Sequence, residues 1–158
     1  MDFKAADKYH RVMRSYENLR IVSTDTGNSI SLSQAKEAAE DFFSHCYHFK
    51  DWLIKELPQL RRAVEDHITN STSLSLAADH CNTFKHAGLD KTPRSGHHLD
   101  AVLQHTKLDL TPRGFVASAQ VEIKTTAGKS YRAFDLATEC IRDWDAFLQS
   151  HQITIPAP

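Results

Sequence analysis

The chain lacks the features of several large protein classes. Its apolar runs are too short to cross a bilayer, and its first residues carry no basic segment followed by an apolar stretch, as a signal peptide would. The five glycines are widely separated, so a Gly-rich phosphate loop and a Gly-x-Ser-x-Gly nucleophile turn are both missing. We therefore expect a cytoplasmic protein that is neither a nucleotide-driven motor nor a serine hydrolase.

Net charge is also lacking. Nineteen basic residues face twenty acidic ones, a formal net charge of −1 at pH 7, which argues against a protein that coats nucleic acid through bulk electrostatics. A local basic patch stays open, and the ten histidines would add positive charge as the pH falls below about 6.5. The length of 158 residues is that of one ordinary domain.

Cysteine is scarce as well, and its spacing does not indicate disulfides. Cys46, Cys81 and Cys140 are odd in number, far apart, and each falls on an apolar helical stripe. We expect three buried free thiols, as in a reducing compartment.

Apolar residues at helical spacing dominate the first half of the chain. They predict a first helix from Phe3 to about Arg20 and a second of roughly 26 residues that begins at Ser31 with a capping box to Gln34. Further helices are predicted at about 59–68, after Pro58, at about 74–87, ending at Gly88, and at about 135–150.

The apolar period changes from helical to alternating after residue 98. Phe115 to Ile123 alternate in polarity like a half-buried strand, with Val121 on the apolar face and Gln120 on the polar face. A turn at 127–129, a return strand at 130–134 and a weaker strand at 99–108 complete a small sheet.

These patterns predict an α+β fold, mainly α, in which a bundle of about four to five helices carries a small antiparallel hairpin or sheet before the C-terminal helix. We expect a single domain over 1–158. Its parts are a helical core at about 2–88, a loop at 89–98, a sheet at about 99–134, a C-terminal helix at about 135–150 and a tail at 151–158.

One predicted helix, at 74–87, concentrates groups that could do chemistry. Asp79, Asn82 and His86 share a polar stripe, apart from the core stripe that holds Cys81. A carboxylate that orients an imidazole, an amide that holds a phosphate and a histidine that moves protons would cleave RNA without a metal or cofactor. Lys85 and Arg94 would supply positive charge to bind the nucleic acid. Alternatively, Asn82 and His86 only cap or bond neighbouring segments.

The segment from Cys81 to His86 resembles the HEPN superfamily, in a bacterial branch with a degenerate motif. Active members carry an arginine, a polar residue that is often Asn, three variable residues and a histidine. Asn82 and His86 match by spacing, whereas Cys81 stands at the arginine position, so either catalysis is lost or another cation substitutes. The Asp51-Trp52-Leu53 segment, the hairpin and the Trp-bearing last helix are similar to small bacterial proteins of this kind. The resemblance implies a dimeric RNA-cleaving toxin or defence component, or an inactive relative.

Two other clusters are alternatives to this site. Arg62 and His67 also fit the spacing of an arginine, four residues and a histidine, but Ala63 is not polar, and a helix of alternating charge is more often a solvated face. His45 and His48 lie three residues apart, one turn after Asp41, which would suit a metal ion. No Cys-x-x-Cys or His-Glu-x-x-His motif supports that reading, so we predict no metal.

Two functions from different classes follow from the sequence. The first is an RNA-directed HEPN-like endoribonuclease or RNA-binding protein of a toxin-antitoxin or defence system. The second is a non-catalytic helical interaction protein, antitoxin-like, in which the helical face of His45, His48 and Trp52 associates with a second copy or a partner protein. The missing arginine at position 81 favours the second.

Overall fold

The computed structural model describes residues 3–24, 32–85, 92–96, 99–112 and 114–158. Within these ranges the chain is mainly helical, with five α-helices and one antiparallel sheet that precedes the last helix, which confirms the predicted fold class. The helices are α1 (Lys4–Thr24), α2 (Leu32–Glu56), α3 (Arg61–Asn70), α4 (Thr72–Lys85) and α5 (Ala133–Ser150), and the strands are β1 (Leu99–Thr111), β2 (Gly114–Thr125) and β3 (Ser130–Arg132).

The two long helices, α1 and α2, form an antiparallel pair that carries much of the core. Phe42, Phe49 and Leu53 of α2 are buried at the predicted helical spacing, and the Tyr9 ring of α1 lies 5.1 Å from that of Phe49. The Glu56 carboxylate at the end of α2 accepts hydrogen bonds from the first backbone N–H groups of α1, including that of Lys4 at 2.8 Å. A carboxylate in this position satisfies donors that a helix leaves unpaired at its N-terminus.

The central helix is α4, and every residue from 73 to 81 in it is buried. The prediction of a separate polar face beside the core stripe is therefore wrong over these residues. The helix begins where Ser71 Oγ accepts from the Leu74 N–H at 3.0 Å. From α5, Asp143 accepts from the hydroxyls of Ser71 and Ser73 at 2.5 and 2.6 Å, which ties the start of α4 to the last helix.

The sheet has the order β1-β2-β3, and both pairings are antiparallel. β1 and β2 form a hairpin that runs from Leu99 opposite Thr125 to Thr111 opposite Gly114, so the weaker predicted strand is a long one. Gly114, with φ of +115°, supplies a backbone conformation that the tight connection requires. The predicted polar face is wrong at Gln120, which is buried because its amide donates to the Ser23 carbonyl and accepts from Arg132.

Several helix ends differ from the predicted ones because tertiary packing decides them. α1 continues past Arg20 to Thr24, where Val22 and Ser23 are buried. Pro58 opens a short 3₁₀ turn (Pro58–Leu60) ahead of α3, and α4 begins at Thr72. The predicted cap at Ser31 and helix end at Gly88 lie outside the described residues.

The C-terminal residues of the chain pack on the core after α5. Gln152 adopts a left-handed conformation, and the N–H of Ile153 donates to the Leu148 carbonyl at 2.9 Å, which closes the helix as a Schellman motif does. Ile153 and Ile155 then pack against the core, so the segment predicted as a tail is partly buried. Within α5, Trp144 is fully buried.

All three cysteines are free and buried, which confirms the prediction. Burial raises the pKa of the Cys140 thiol, and neighbouring Cys46 raises it further. These thiols therefore behave as small core side chains.

Candidate functional site

Asp79 occupies the centre of the predicted site, but its carboxylate is fully engaged with a neighbouring segment. It is 1% exposed. It accepts hydrogen bonds from the backbone N–H groups of Arg94 at 2.8 Å and Ser95 at 2.9 Å, and from the Ser95 hydroxyl at 2.6 Å. Burial costs a carboxylate several kcal/mol unless donors surround it, and these three donors offset that cost. In the described structure, Asp79 anchors the 92–96 segment to α4.

Arg94 is the second predicted residue that the structure brings to this place, and its guanidinium points to a separate set of partners. It pairs with Glu65 of α3 and lies 5.8 Å from the centre of the Tyr47 ring. Lys50 of α2 contacts the same two groups, at 3.3 Å from Glu65 and 5.1 Å from the Tyr47 ring. We call Tyr47, Lys50, Glu65 and Arg94 the Arg94 cluster.

Charges within the Arg94 cluster hold each other in the ionised form. Burial alone would raise the pKa of Glu65, but the hydrogen bond from Arg94 and the charge of Lys50 lower it overall. Burial would likewise lower the pKa of Arg94, yet the bond and charge of Glu65, with Tyr47, raise it. Glu65 is shared by two cations, so its single negative charge offsets only part of their positive charge.

The remaining predicted site residues are only partly described. Asn82 is half-buried near the end of α4, one turn along from Asp79. Lys85 is the last described residue of that helix, and its side chain lies outside what the structure describes, as does the whole of His86. The structure therefore joins Asp79 and Arg94, through a backbone N–H of the latter, and leaves the roles predicted for Asn82, Lys85 and His86 as predictions.

In the described geometry, no arginine lies beside a histidine at either of the two positions where the motif would place it. Cys81, at the motif's arginine position, is 7% exposed. In the alternative pair, the Arg62 side chain is 95% exposed and lies 3.6 Å from Asp66. His67 instead bonds the Asp143 carbonyl at 2.8 Å, and its ring centre lies 6.0 Å from that of Trp144. Arg62 faces solvent while His67 joins α3 to α5, so the two do not converge on one site.

Histidine and carboxylate side chains on α2 meet as predicted, but a lysine joins them. His45 lies 3.3 Å from Asp41 through Nε2 and 2.8 Å from the Lys8 ammonium through Nδ1. Burial and the charge of Lys8 lower the pKa of His45. Both ring nitrogens have partners and one partner is a cation, which opposes a metal ion. Within the described residues, no group of three or more metal-ligating side chains occurs.

An open surface lies between α1 and α2. The sequence predicted an interaction surface on α2, including Trp52, but not the part that α1 contributes. Trp52 of α2 is 38% exposed. Together with Lys4, Lys8 and Arg11 of α1, and one acid, Asp7, it lines a cavity of about 260 Å³. The signal for the α1 half was present, since residues 4, 8 and 11 follow the i, i+4, i+7 spacing of one helical face. We call Lys4, Lys8, Arg11 and Trp52 the α1–α2 face.

No protein-family profile matches the chain, and no curated protein or solved structure is significantly similar to it. None of the helices in the described ranges combines the length and the apolar character needed to cross a membrane. The class that fold and geometry define is a mainly helical α+β protein with an open cationic and aromatic surface.

Proposed function

We propose that this protein is a non-catalytic interaction protein that binds a partner protein through the α1–α2 face. The observation that carries the proposal is the exposed Trp52 indole beside three cations of α1. Tryptophan and arginine are the residues most enriched among energetic hot spots of protein interfaces. Among the side chains whose burial the structure describes, Ile21, Trp52 and Leu110 are the large apolar ones with this degree of exposure, and Trp52 is the one that lines the α1–α2 face.

The charges of the α1–α2 face indicate the chemistry of the partner. Lys4, Lys8 and Arg11 outnumber Asp7, the one acid that lines the cavity with them. Burial and the nearby charge of Arg11 lower the pKa of Lys8, and the charges of Asp41 and Asp51 offset only part of this effect, so Lys8 and Arg11 repel one another. An acidic segment that also carries an apolar side chain for Trp52 would relieve this repulsion and cover the indole.

The proposal also agrees with the partners of two predicted site residues, Asp79, predicted as catalytic, and Arg94, predicted to bind nucleic acid. Asp79 is used to hold the 92–96 segment, and Arg94 is paired with Glu65. In the described geometry both side chains already have partners within the protein. We place the protein in the cytoplasm, where its three free thiols would stay reduced.

A mass measurement in solution tests this proposal. The protein purified from its native cells should elute at high concentration as a complex with an acidic partner protein or as a homodimer, and Trp52→Ala should release the monomer. Ile21→Ala is the matched control, because it removes a large apolar side chain of similar exposure, 41%, outside the face. A strict monomer with no co-purifying protein, or equal loss in both variants, would contradict the proposal.

RNA cleavage is kept as a second proposal, supported by the half-buried Asn82 and by the motif spacing from Asn82 to His86. In it His86 moves the proton, Asn82 contacts the phosphate and Lys85 supplies charge, as part of a toxin-antitoxin or defence system, while Asp79 keeps the 92–96 segment in place. Purified protein in EDTA should then cleave total RNA, and His86→Ala should abolish the cleavage. RNA that stays intact with the wild-type protein over a range of pH and salt would eliminate this proposal.

A further inference from the structure

A second cavity, of about 270 Å³, lies where the α3–α4 junction, the 92–96 segment and the end of the β2–β3 hairpin meet. We call it the polar cavity. Its described lining is mostly polar, and Leu76 is the main aliphatic contribution. The charged side chains among these lining residues are Arg94 and Lys129, both positive, and no acid is among them. A cavity with this lining attracts an anion.

The hydrogen bonds of the lining residues show which groups are left to donate. The hydroxyls of Ser75, Ser95 and Thr125 already donate within the protein, to the Thr72 carbonyl, to Asp79 and to the Lys129 carbonyl. Among the described lining residues, Asn70, Thr72, Tyr131 and the Lys129 ammonium carry donors without such a described bond. Amide, hydroxyl and ammonium donors around one anion are the groups that hold a phosphate.

The walls of the polar cavity are held in place before any ligand arrives. Asp79 binds the backbone of Arg94 and Ser95, and Glu65 holds the Arg94 guanidinium from the side of α3. A guanidinium has five N–H donors, so the pair with Glu65 leaves others to face the cavity. The Asp79 carboxylate therefore builds a wall of the polar cavity.

We infer that the polar cavity binds a small phosphate monoester, with Lys129 and Arg94 on the phosphate and the hydroxyl-rich lining on the attached group. The volume limits the ligand, because 270 Å³ lies just below the range of about 300–1,000 Å³ typical for drug-sized ligands. A phosphorylated sugar fits this limit better than a nucleotide. The inference is independent of the partner proposed for the α1–α2 face, since the two share no lining residue.

Calorimetric titration with ribose 5-phosphate, inorganic phosphate and unphosphorylated ribose, at constant ionic strength, tests the inference. Ribose 5-phosphate should bind most tightly, inorganic phosphate more weakly, and ribose not at all. Lys129→Ala should weaken ribose 5-phosphate binding by about tenfold or more, the usual effect of losing a hydrogen bond to a charged group. Lys129 is exposed and follows the 126–128 turn, so its truncation leaves the core intact.

Lys55→Ala is the matched control, because it removes the same charge from an exposed position outside the described lining, and it should leave affinity within about twofold. Trp52→Ala should also leave affinity unchanged, which separates this site from the α1–α2 face. The inference is overturned if millimolar ribose 5-phosphate releases no binding heat, if ribose binds equally well, or if Lys129→Ala and Lys55→Ala weaken binding to the same extent.

Discussion

The Arg94 cluster and the α1–α2 face are built from the same kinds of side chain, but differ in how their charges are balanced. In the cluster, Glu65 pairs with both Arg94 and Lys50, and Tyr47 covers the cations. On the face, three cations and one acid of α1 line a cavity together with an exposed indole. The first arrangement joins α2, α3 and the 92–96 segment, whereas the second leaves positive charge and apolar area toward solvent. Residue type alone therefore does not separate a structural cluster from a binding surface, and the pairing and exposure of its groups do.

The largest expected effect on stability comes from comparing alanine variants of the two tryptophans, Trp144 and Trp52. Trp144→Ala should lower the free energy of unfolding by about 3–5 kcal/mol, because it empties a fully buried site against Phe49 and Phe147. Trp52→Ala should lower it less, by about 1–2 kcal/mol, because its indole is already 38% exposed. Urea denaturation followed by circular dichroism measures both. Similar losses would mean that Trp52 belongs to the packed interior.

Two aspartates sharpen the comparison further. Asp79→Ala should lower the free energy of unfolding by about 2–3 kcal/mol, because it strands the N–H groups of Arg94 and Ser95. Asp7→Ala, at an exposed position beside the α1–α2 face, should cost at most about 0.5 kcal/mol. Thermal and urea unfolding of the two variants provide the check. If Asp79→Ala were neutral, its carboxylate would not be the anchor of the 92–96 segment.

His80 makes the interior of α4 sensitive to acid. It is 1% exposed and lies 4.8 Å from the Phe43 ring, and burial, with the charge of Lys36, lowers its pKa to about 3. Between about pH 3 and 6.5 the unfolded chain binds a proton that the folded chain does not, so stability falls as the pH falls below 6.5. From pH 7 to 5 this histidine should cost about 2 kcal/mol. Urea unfolding at several pH values should show a flatter pH dependence in His80→Leu than in wild type, and equal slopes would refute the assignment.

The smallest effect concerns the ion pairs of the Arg94 cluster. Glu65→Gln should lower stability by about 0.5–1 kcal/mol at low salt and by less at high salt, because Glu65 is about a third exposed. Since its folded pKa is lowered, this contribution is present above about pH 4.5 and is lost as the pH falls through the folded value. Glu17→Gln, which breaks the exposed pair with Arg20, should cost less still. Salt-dependent unfolding of both variants distinguishes the two pairs, and equal, salt-independent losses would contradict the assigned roles.

Much of the fold could be predicted because local periodicity reports burial directly. The helical spacing of Phe42, Cys46, Phe49 and Leu53 predicted α2 nearly to its ends, and the alternation at Val121 and Ile123 predicted β2. Helix ends that depend on packing against distant segments could not be predicted from the sequence. At Val22, for example, α1 continues because its last turn is buried. The length of β1 was also underestimated, because its pairing with β2 along the whole strand is a nonlocal property.

The candidate site also shows the difference between what local sequence patterns predict and what tertiary packing decides. A stripe of Asp79 and Asn82 on one helix could be computed from the sequence, but not that residues 73–81 would be buried on all sides. Gln120 is a second example. Its position in an alternating strand predicts exposure to solvent, but its amide is buried because it forms hydrogen bonds with Ser23 and Arg132. Whether a polar group is buried and hydrogen-bonded depends on partners from remote segments. Local sequence patterns do not show which residues those partners will be.

By itself the sequence determined the class of fold, three buried thiols and the core face of α2, because apolar spacing along the chain is a local record of which side is buried. Only the tertiary structure decided what the polar residues do. It placed Asp79 under the 92–96 segment, paired Arg94 with Glu65, and left Trp52 exposed among the cations of α1. The physical reason is that the energy of a charge depends on its solvent exposure and on its partners, and both are set by residues far away in the chain.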